Sequence, residues 1–239
     1  TDANGAYGGR LDMFNNVVYN WGSRTTDGGA HEVNFVGNYY KVGTAMRTAM
    51  LMTLQIENNL PGTQSVYVAG NVRDNMDGSL TLDKLNETYN LQICDGRGSL
   101  DWEPFVKEPF FPSYAKIETA QQAYKSVLSD VGANMPVVDD TDKRIVKETL
   151  TRTYTYTGSR SGIKGQIDEE ADAGGYEVYP ETSYDANYDA DFDGLPGWWE
   201  EIHGTNAQSP VGDFTDANAD NDGDGFTGLE DYLDFKANP

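Results

Sequence analysis

The sequence predicts an all-β architecture: a right-handed parallel β-helix with a few packing helices and a small acidic tail. Two observations point there. Three stretches of the first seventy-odd residues superpose with an Asn at one shared place, and the excess charge is confined almost wholly to the last third of the chain.

Residues 11–18, 33–40 and 66–73 each carry apolar residues at the first, third and seventh places and Asn at the sixth. The Asn residues are Asn16, Asn38 and Asn71, so the repeat steps by 22 and then 33 residues. Alternation at period two, with β-branched and aromatic residues, marks strands. A short strand, a bend at Asn and a second strand, recurring at this interval, is the pattern of one coil of a parallel β-helix. Asn suits the bend because it tolerates the left-handed backbone region, and its amide can bond to the same amide one coil away. The eleven extra residues between Asn38 and Asn71 predict a longer loop at one corner, residues 50–62. Antiparallel hairpins would alternate in the same way, but they give no reason for a fixed Asn.

After Asn90 the strand pattern fades, and Pro104, Pro109 and Pro112 punctuate an irregular stretch. A helix follows. Thr119 with Gln122 three residues on forms a capping box, Gly132 fits the far end, and Ala120, Ala123, Tyr124, Val127, Leu128 and Val131 share one face. A shorter helix is expected after Asp140 or Thr141, burying Ile145, Val146 and Leu150. The domain organisation is therefore read as coils over residues 1–110, a helical and irregular segment over 111–183, and the tail over 184–239.

The chain of 239 residues is 38% apolar and 12% aromatic, enough for a packed core, and no apolar run approaches the roughly 20 residues of a membrane span. One Cys, Cys94, and two His, His31 and His203, exclude a disulfide framework and any Cys- or His-cluster metal site. Net charge is -22; residues 1–165 carry 16 basic against 19 acidic residues, and residues 166–239 carry Lys236 alone against 20 acids. Such a field argues against nucleic acid or anionic lipid as a partner and favours cations. The segment Asn86-Glu87-Thr88 is an N-glycosylation sequon.

The tail says which cation. Asp189-Ala190-Asp191-Phe192-Asp193-Gly194, closed by Glu200, satisfies D-x-D-x-D-G-x5-E in full. Alternate residues of a tight loop aim Asp189, Asp191 and Asp193 at one point, the Leu195 carbonyl adds an oxygen, and Glu200 closes the site: a calcium loop. Pro196 suits the start of the following helix. The pattern returns 31 residues later with Asp220, Asp222, Asp224 and Gly225, the Phe226 carbonyl, and Asp231 at the twelfth place beside Glu230. Asp216 and Asn218 could supply further oxygens. An accidental spacing in a solvated acidic tail would not place Gly at the sixth position twice.

Residues 11–21, the Ser23-Arg24-Thr25-Thr26-Asp27-Gly28-Gly29 segment and residues 33–41 resemble the late coils of family 1 polysaccharide lyases, the secreted pectate lyases. The resemblance continues through Ala123-Tyr124, the stretch 142–146 and Ala171-Gly174-Gly175 to the paired calcium loops, and covers most of the chain. It implies a secreted enzyme that cleaves α-1,4-polygalacturonate, the backbone of pectin, by calcium-dependent β-elimination. An arginine of an R-x-P-R motif would be the base, and calcium would neutralise the uronate carboxylate. No R-x-P-R occurs here, and the carboxylates of earlier coils are absent, so the resemblance implies that the base lies upstream of Thr1, on an N-terminal segment of the same precursor.

Three residues after the first coil are candidates to touch an acidic plant polysaccharide: Arg24 as a bidentate uronate clamp, with Lys41 and Trp21 beside it. The competing readings are that Arg24 pairs with Asp27 and that Trp21 closes the core. Arg10 reads as a coil-edge residue, the two His as singletons, and Cys94 as a buried apolar residue. A tail far from the cleft would be screened at a Debye length of about 8 Å, so its acidity does not forbid a polyanionic substrate. Two other functions are compatible with the same residues: a non-catalytic module that binds acidic polysaccharide, and a structural or adhesive domain anchored by its calcium tail.

Overall fold

The computed structural model describes residues 9–28, 30–54, 65–82, 92–93, 104–133, 137–181 and 183–237. Cys94, the sequon at Asn86 and most of the predicted corner loop lie outside the described residues. These divide into two units, one within Thr1–Val131 and Asp140–Tyr176, the other within Gly132–Asp139 and Glu177–Pro239. The helical segment up to Tyr176, apart from Gly132–Asp139, falls in the unit of the strands it was expected to pack on, and Glu177–Pro239 falls in the second.

In the first unit the repeats become strands: β1 (Arg10–Phe14), β4 (Glu32–Val36) and β7 (Ser65–Ala69) before the bends, and β2 (Val17–Tyr19), β5 (Tyr39–Lys41) and β8 (Val72–Asp74) after them. β3 (Thr26–Gly28), β6 (Met52–Leu54), β9 (Leu80–Leu82), β10 (Gln92–Ile93) and β11 (Phe105–Val106) complete the set. They form three sheets, ordered β1-β4-β7-β11, β2-β5-β8-β9 and β10-β6-β3. Repeat pairs with repeat in parallel, Leu11 opposite Val33 opposite Val66, and Met13 opposite Phe35 opposite Val68. Antiparallel pairing of the repeats is therefore ruled out; β9 on β8 is the one antiparallel strand pair among the described residues.

The period-two pattern does its work in the core. Val33, Phe35, Val66 and Val68 point into one cluster with Trp21, Tyr40, Val42, Leu51, Met52 and Phe105. On the opposite face of β5, Tyr39 packs with Val72, Val17 and Ala120. At the bends the three Asn residues stack. The Asn16 backbone N–H and side-chain amide both donate to Asn38 Oδ1, at 3.1 and 2.8 Å. Asn38 repeats this on Asn71 Oδ1, at 3.0 and 2.8 Å. Asn38 also donates to the Met13 carbonyl and Asn71 to that of Phe35. Each buried bend thereby finds partners for its polar groups, as buried polar groups require.

Helix α1 (Ala120–Asp130) has the expected capping box of Thr119 and Gln122 and buries Ala120 and Ala123. Its Tyr124 packs on Tyr39, ring centroids 4.5 Å apart. Helix α2 (Asp140–Thr151) is not shorter than α1, and it buries Glu148 and Thr149 while Ile145 and Leu150 stay about half exposed. Glu148 is held by Arg144 at 3.4 Å and by the Thr155 N–H at 2.8 Å, so polar anchoring fixes the helix in place of the predicted apolar face.

The fold class is therefore corrected: this is not an all-β, right-handed parallel β-helix but a mixed α/β chain. Helices α1, α2, α3 (Gly197–His203) and α4 (Gly228–Ala237) hold 11, 12, 7 and 10 residues, whereas the strands run to five residues at most. The sheets are three or four strands wide, and one is mixed. The repeat occupies only three segments, and beyond residue 119 caps and helical periodicity dominate the chain. The corner loop is corrected too, because Met52–Leu54 pairs with Thr26–Gly28.

Asn38→Ala should cost roughly 2–4 kcal/mol in denaturant unfolding, because it strips partners from both neighbouring bends at a buried site. Asn16→Ala, at the end of the stack, should cost about 1 kcal/mol. Equal small losses for both would deny the ladder a structural role.

Candidate metal centre

The first acidic loop precedes α3. Each of its aspartates uses one oxygen to shape the backbone: Asp189 Oδ2 accepts from the Gly194 N–H at 3.1 Å, Asp193 Oδ1 from Leu195 at 2.8 Å, and Asp191 Oδ2 from Ser209 at 2.9 Å. The other oxygen of each, Asp189 Oδ1, Asp191 Oδ1 and Asp193 Oδ2, is buried with no hydrogen-bond partner. Both oxygens of Glu200, a residue 1% exposed on α3, are in the same state. One oxygen from each of the three aspartates lies within 4.8 Å of the others.

Oxygens sharing one calcium ion at about 2.4 Å can be at most about 4.8 Å apart, so the spacing fits. The donors are all hard oxygens, which suits calcium or magnesium over zinc or copper. A buried set with this many carboxylates suits calcium better, since magnesium keeps several waters.

The electrostatics agree. Burial, then the charges of Asp191, Asp193, Asp216 and Asp189, push the Glu200 carboxyl up to about 7. Burial also raises Asp193, reinforced by Asp191, Asp189 and Asp216 and opposed by the Leu195 N–H bond. The sequence after residue 165 offers little positive charge, with Lys236 as its one Lys or Arg against 20 acids.

The second loop precedes α4 and is exposed. Asp220 accepts from Gly223 at 2.7 Å and Gly225 at 3.1 Å, Asp222 from Asp224 at 3.2 Å, and Asp224 from Phe226 at 2.9 Å. Its three aspartates also bring one oxygen each within 4.8 Å. The neighbours Glu230 and Asp231 divide their tasks. Glu230 caps α4 in a reciprocal pair with Thr227, whose N–H bond lowers its carboxyl. Asp231 turns to the loop, and burial followed by Asp224, Asp222 and Asp220 raises it.

The two loops share a backbone. The fourth and sixth places are left-handed in both: Phe192 (φ 58°) and Gly194 (φ 97°), Gly223 (φ 78°) and Gly225 (φ 102°). Phe192 tolerates this at roughly 1 kcal/mol, which the loop's other bonds must offset. The seventh places differ. Leu195 is buried with Trp199, Ala217 and Tyr232, while Phe226 is 58% exposed. Pro196 is the N-cap of α3 rather than its first turn.

The substrate candidates in the first unit fare differently. Trp21 is corrected to a core residue: it is 5% exposed, edge-on to Tyr40, with its indole N–H donating to the Thr48 carbonyl at 2.8 Å. Lys41 is corrected likewise. It is 7% exposed, and its ammonium donates to the Tyr124 hydroxyl at 2.8 Å and the Leu150 carbonyl at 3.0 Å, clasping α1 and the end of α2 to the sheet. Alternation along β5 hid this, because α1 covers the face on which Lys41 would have met solvent. Arg24 is exposed in the loop between β2 and β3, where the sequence placed it. Sequence reading did not anticipate the clasp of Arg152 Nη2 on Asp74 at 2.6 Å, with Tyr39 donating to the same carboxylate at 3.1 Å. Burial and Asp74 push the Tyr39 hydroxyl well up. Arg10, as expected, sits at an edge, 2.6 Å from Glu32.

Compared with known proteins, the chain matches no family model and no curated protein. Among the described residues, no helix is long and apolar enough to cross a membrane.

A carboxyl raised in the folded state makes the folded protein bind more protons than the unfolded chain between the two values, so stability falls as pH rises through that window. For Glu200 the window runs from its ordinary 4.5 to about 7. Thermal melts of the metal-free tail should therefore drop from pH 4.5 to 7, and Glu200→Gln should flatten that slope while weakening calcium binding. A metal-free tail that gains stability across this window would contradict the assignment.

Proposed function

We propose that this chain is a calcium-binding part of a secreted, calcium-dependent pectate lyase. It would contribute supporting strands and a metal-ordered tail to eliminative cleavage of polygalacturonate. The observation that carries the calcium part is the set of five buried, unpartnered carboxylate oxygens on Asp189, Asp191, Asp193 and Glu200. Asp189, Asp191, Asp193 and Glu200, with the Leu195 carbonyl, would hold the first ion. Asp220, Asp222, Asp224 and Asp231, with the Phe226 carbonyl, would hold the second.

Support for the lyase part comes from the order of the strand repeats, helices and calcium loops along the sequence. In this reading the base is supplied outside the chain. The cations of the first unit that stand nearest to the repeats are occupied: Lys41 and Arg152 in buried clasps, Arg10 on Glu32. Of the three substrate candidates, Arg24 is the exposed one.

The same occupancy favours a second reading, a non-catalytic module that binds acidic polysaccharide with calcium. The two separate on one assay: polygalacturonate and calcium, followed by the absorbance of unsaturated uronides. The chain by itself should be silent, and the longer polypeptide that this reading requires should be active and stopped by a chelator. Silence of both, with retention of the chain on polygalacturonate, would favour the binding module and sink the lyase.

A further inference from the structure

Sequence periodicity builds an apolar face on each of the first two helices, and those faces do not close on each other. Val127 and Leu128 of α1 are only partly buried, Val131 just beyond it is 45% exposed, and Ile145 of α2 is 48% exposed. Between them and Val17 of β2 lies a cavity of about 410 Å³, with Ile167 on its wall. Packed interiors hold few voids larger than a water molecule. Small-molecule pockets, by contrast, run from roughly 300 to 1,000 Å³ and have mostly apolar walls. All of the lining residues belong to the first unit.

Two charged side chains line the cavity, Arg144 and Glu148, one turn apart on α2. Glu148 is 6% exposed, and its Oε1 is engaged by the Thr155 N–H at 2.8 Å and by Arg144 Nη1 at 3.4 Å. Its Oε2 has no hydrogen-bond partner among the described residues. The same holds for Nε and Nη2 of Arg144, whose guanidinium carbon rests 5.0 Å from the Tyr156 ring centroid. The other hydroxyls on the wall are spent: Tyr19 donates to the Thr153 carbonyl at 2.6 Å and Thr149 to that of Ile145 at 2.8 Å. An apolar chamber therefore has one polar corner, where an open acceptor and open donors stand side by side.

We propose that this cavity binds a small uncharged amphiphile, its apolar body against the two helix faces and a hydroxyl head between Arg144 and Glu148. A hydroxyl is donor and acceptor at once, so it can donate to Glu148 Oε2 while accepting from Arg144. The apolar body supplies the affinity, since it leaves water for walls of Val, Leu and Ile. The charged pair sets the specificity. A carboxylate head would meet Glu148 and an ammonium head Arg144, so ions of either sign are selected against. A uronate polymer carries a carboxylate on every sugar, and this site is therefore not a polygalacturonate cleft. The inference rests on neither the calcium reading nor the lyase reading.

Fluorescence titration of the intact chain with N-phenyl-1-naphthylamine, an uncharged apolar probe, followed by competition with 1-octanol or octanoate, tests it. The wild type should show a saturable rise that 1-octanol reverses, and octanoate should need at least about tenfold more. Ile145→Trp fills the cavity from a half-exposed position and should weaken probe and octanol at least about tenfold, with the thermal melt kept. If that variant does not melt as the wild type does, Val131→Trp, beyond the end of α1, carries the same test. Arg144→Met keeps an apolar stem and removes the donors; it should weaken octanol about tenfold and leave the probe within about threefold. No saturable rise, or equal binding by the filled variant, would overturn the pocket. Octanoate as effective as octanol, or octanol indifferent to Arg144→Met, would overturn the uncharged head.

Discussion

Carboxylates do not stay buried side by side without a counter-charge. Moving one ionised carboxylate from water into a protein interior costs several kcal/mol, and its like-charged neighbours add to that. The first acidic loop brings three Asp and one Glu together with no Lys or Arg in the tail able to answer them except the distant-in-sequence Lys236. Nearly everything distinctive about the second unit follows from this constraint. The loop backbone takes left-handed turns so that N–H groups can hold one oxygen of each Asp, which leaves the other bare. Leu195 and Trp199 then pack behind the loop with Ala217 and Tyr232, so that ligand geometry and apolar core are fixed by the same short segment.

The first unit solves its polar problem by other means. There several polar and charged groups find partners within the protein: Asn16, Asn38 and Asn71 in one ladder, Lys41 against Tyr124 and Leu150, Asp74 against Arg152 and Tyr39; Asp12 Oδ1 is the exception. The contrast with the tail, where five carboxylate oxygens are buried without partners, is why the calcium proposal concerns the second unit.

Much of this was legible in the sequence. A fixed Asn every 22 or 33 residues forecast the register in which β1, β4 and β7 pair, because side chains that bond to their own kind across coils must be stacked. The spacing of Asp189, Asp191 and Asp193 forecast that their carboxylates converge, since tight-loop geometry follows from Gly194. What sequence concealed was tertiary. The class was misjudged because a short repeat says nothing about how many residues later helices contribute. Lys41 and Trp21 looked available for substrate because alternation assigns a face without saying what covers it, and α1 covers one of them.

The central claim is that a divalent cation completes the first acidic loop and holds its backbone in place. Amide hydrogen exchange, with calcium and with chelator, addresses it most directly, because the N–H groups of Gly194, Leu195 and Ser209 donate to the three loop aspartates. Calcium should slow their exchange by at least about tenfold while leaving Val33 and Val66 in the first unit unchanged. Equal protection of the loop amides with and without calcium would contradict the account.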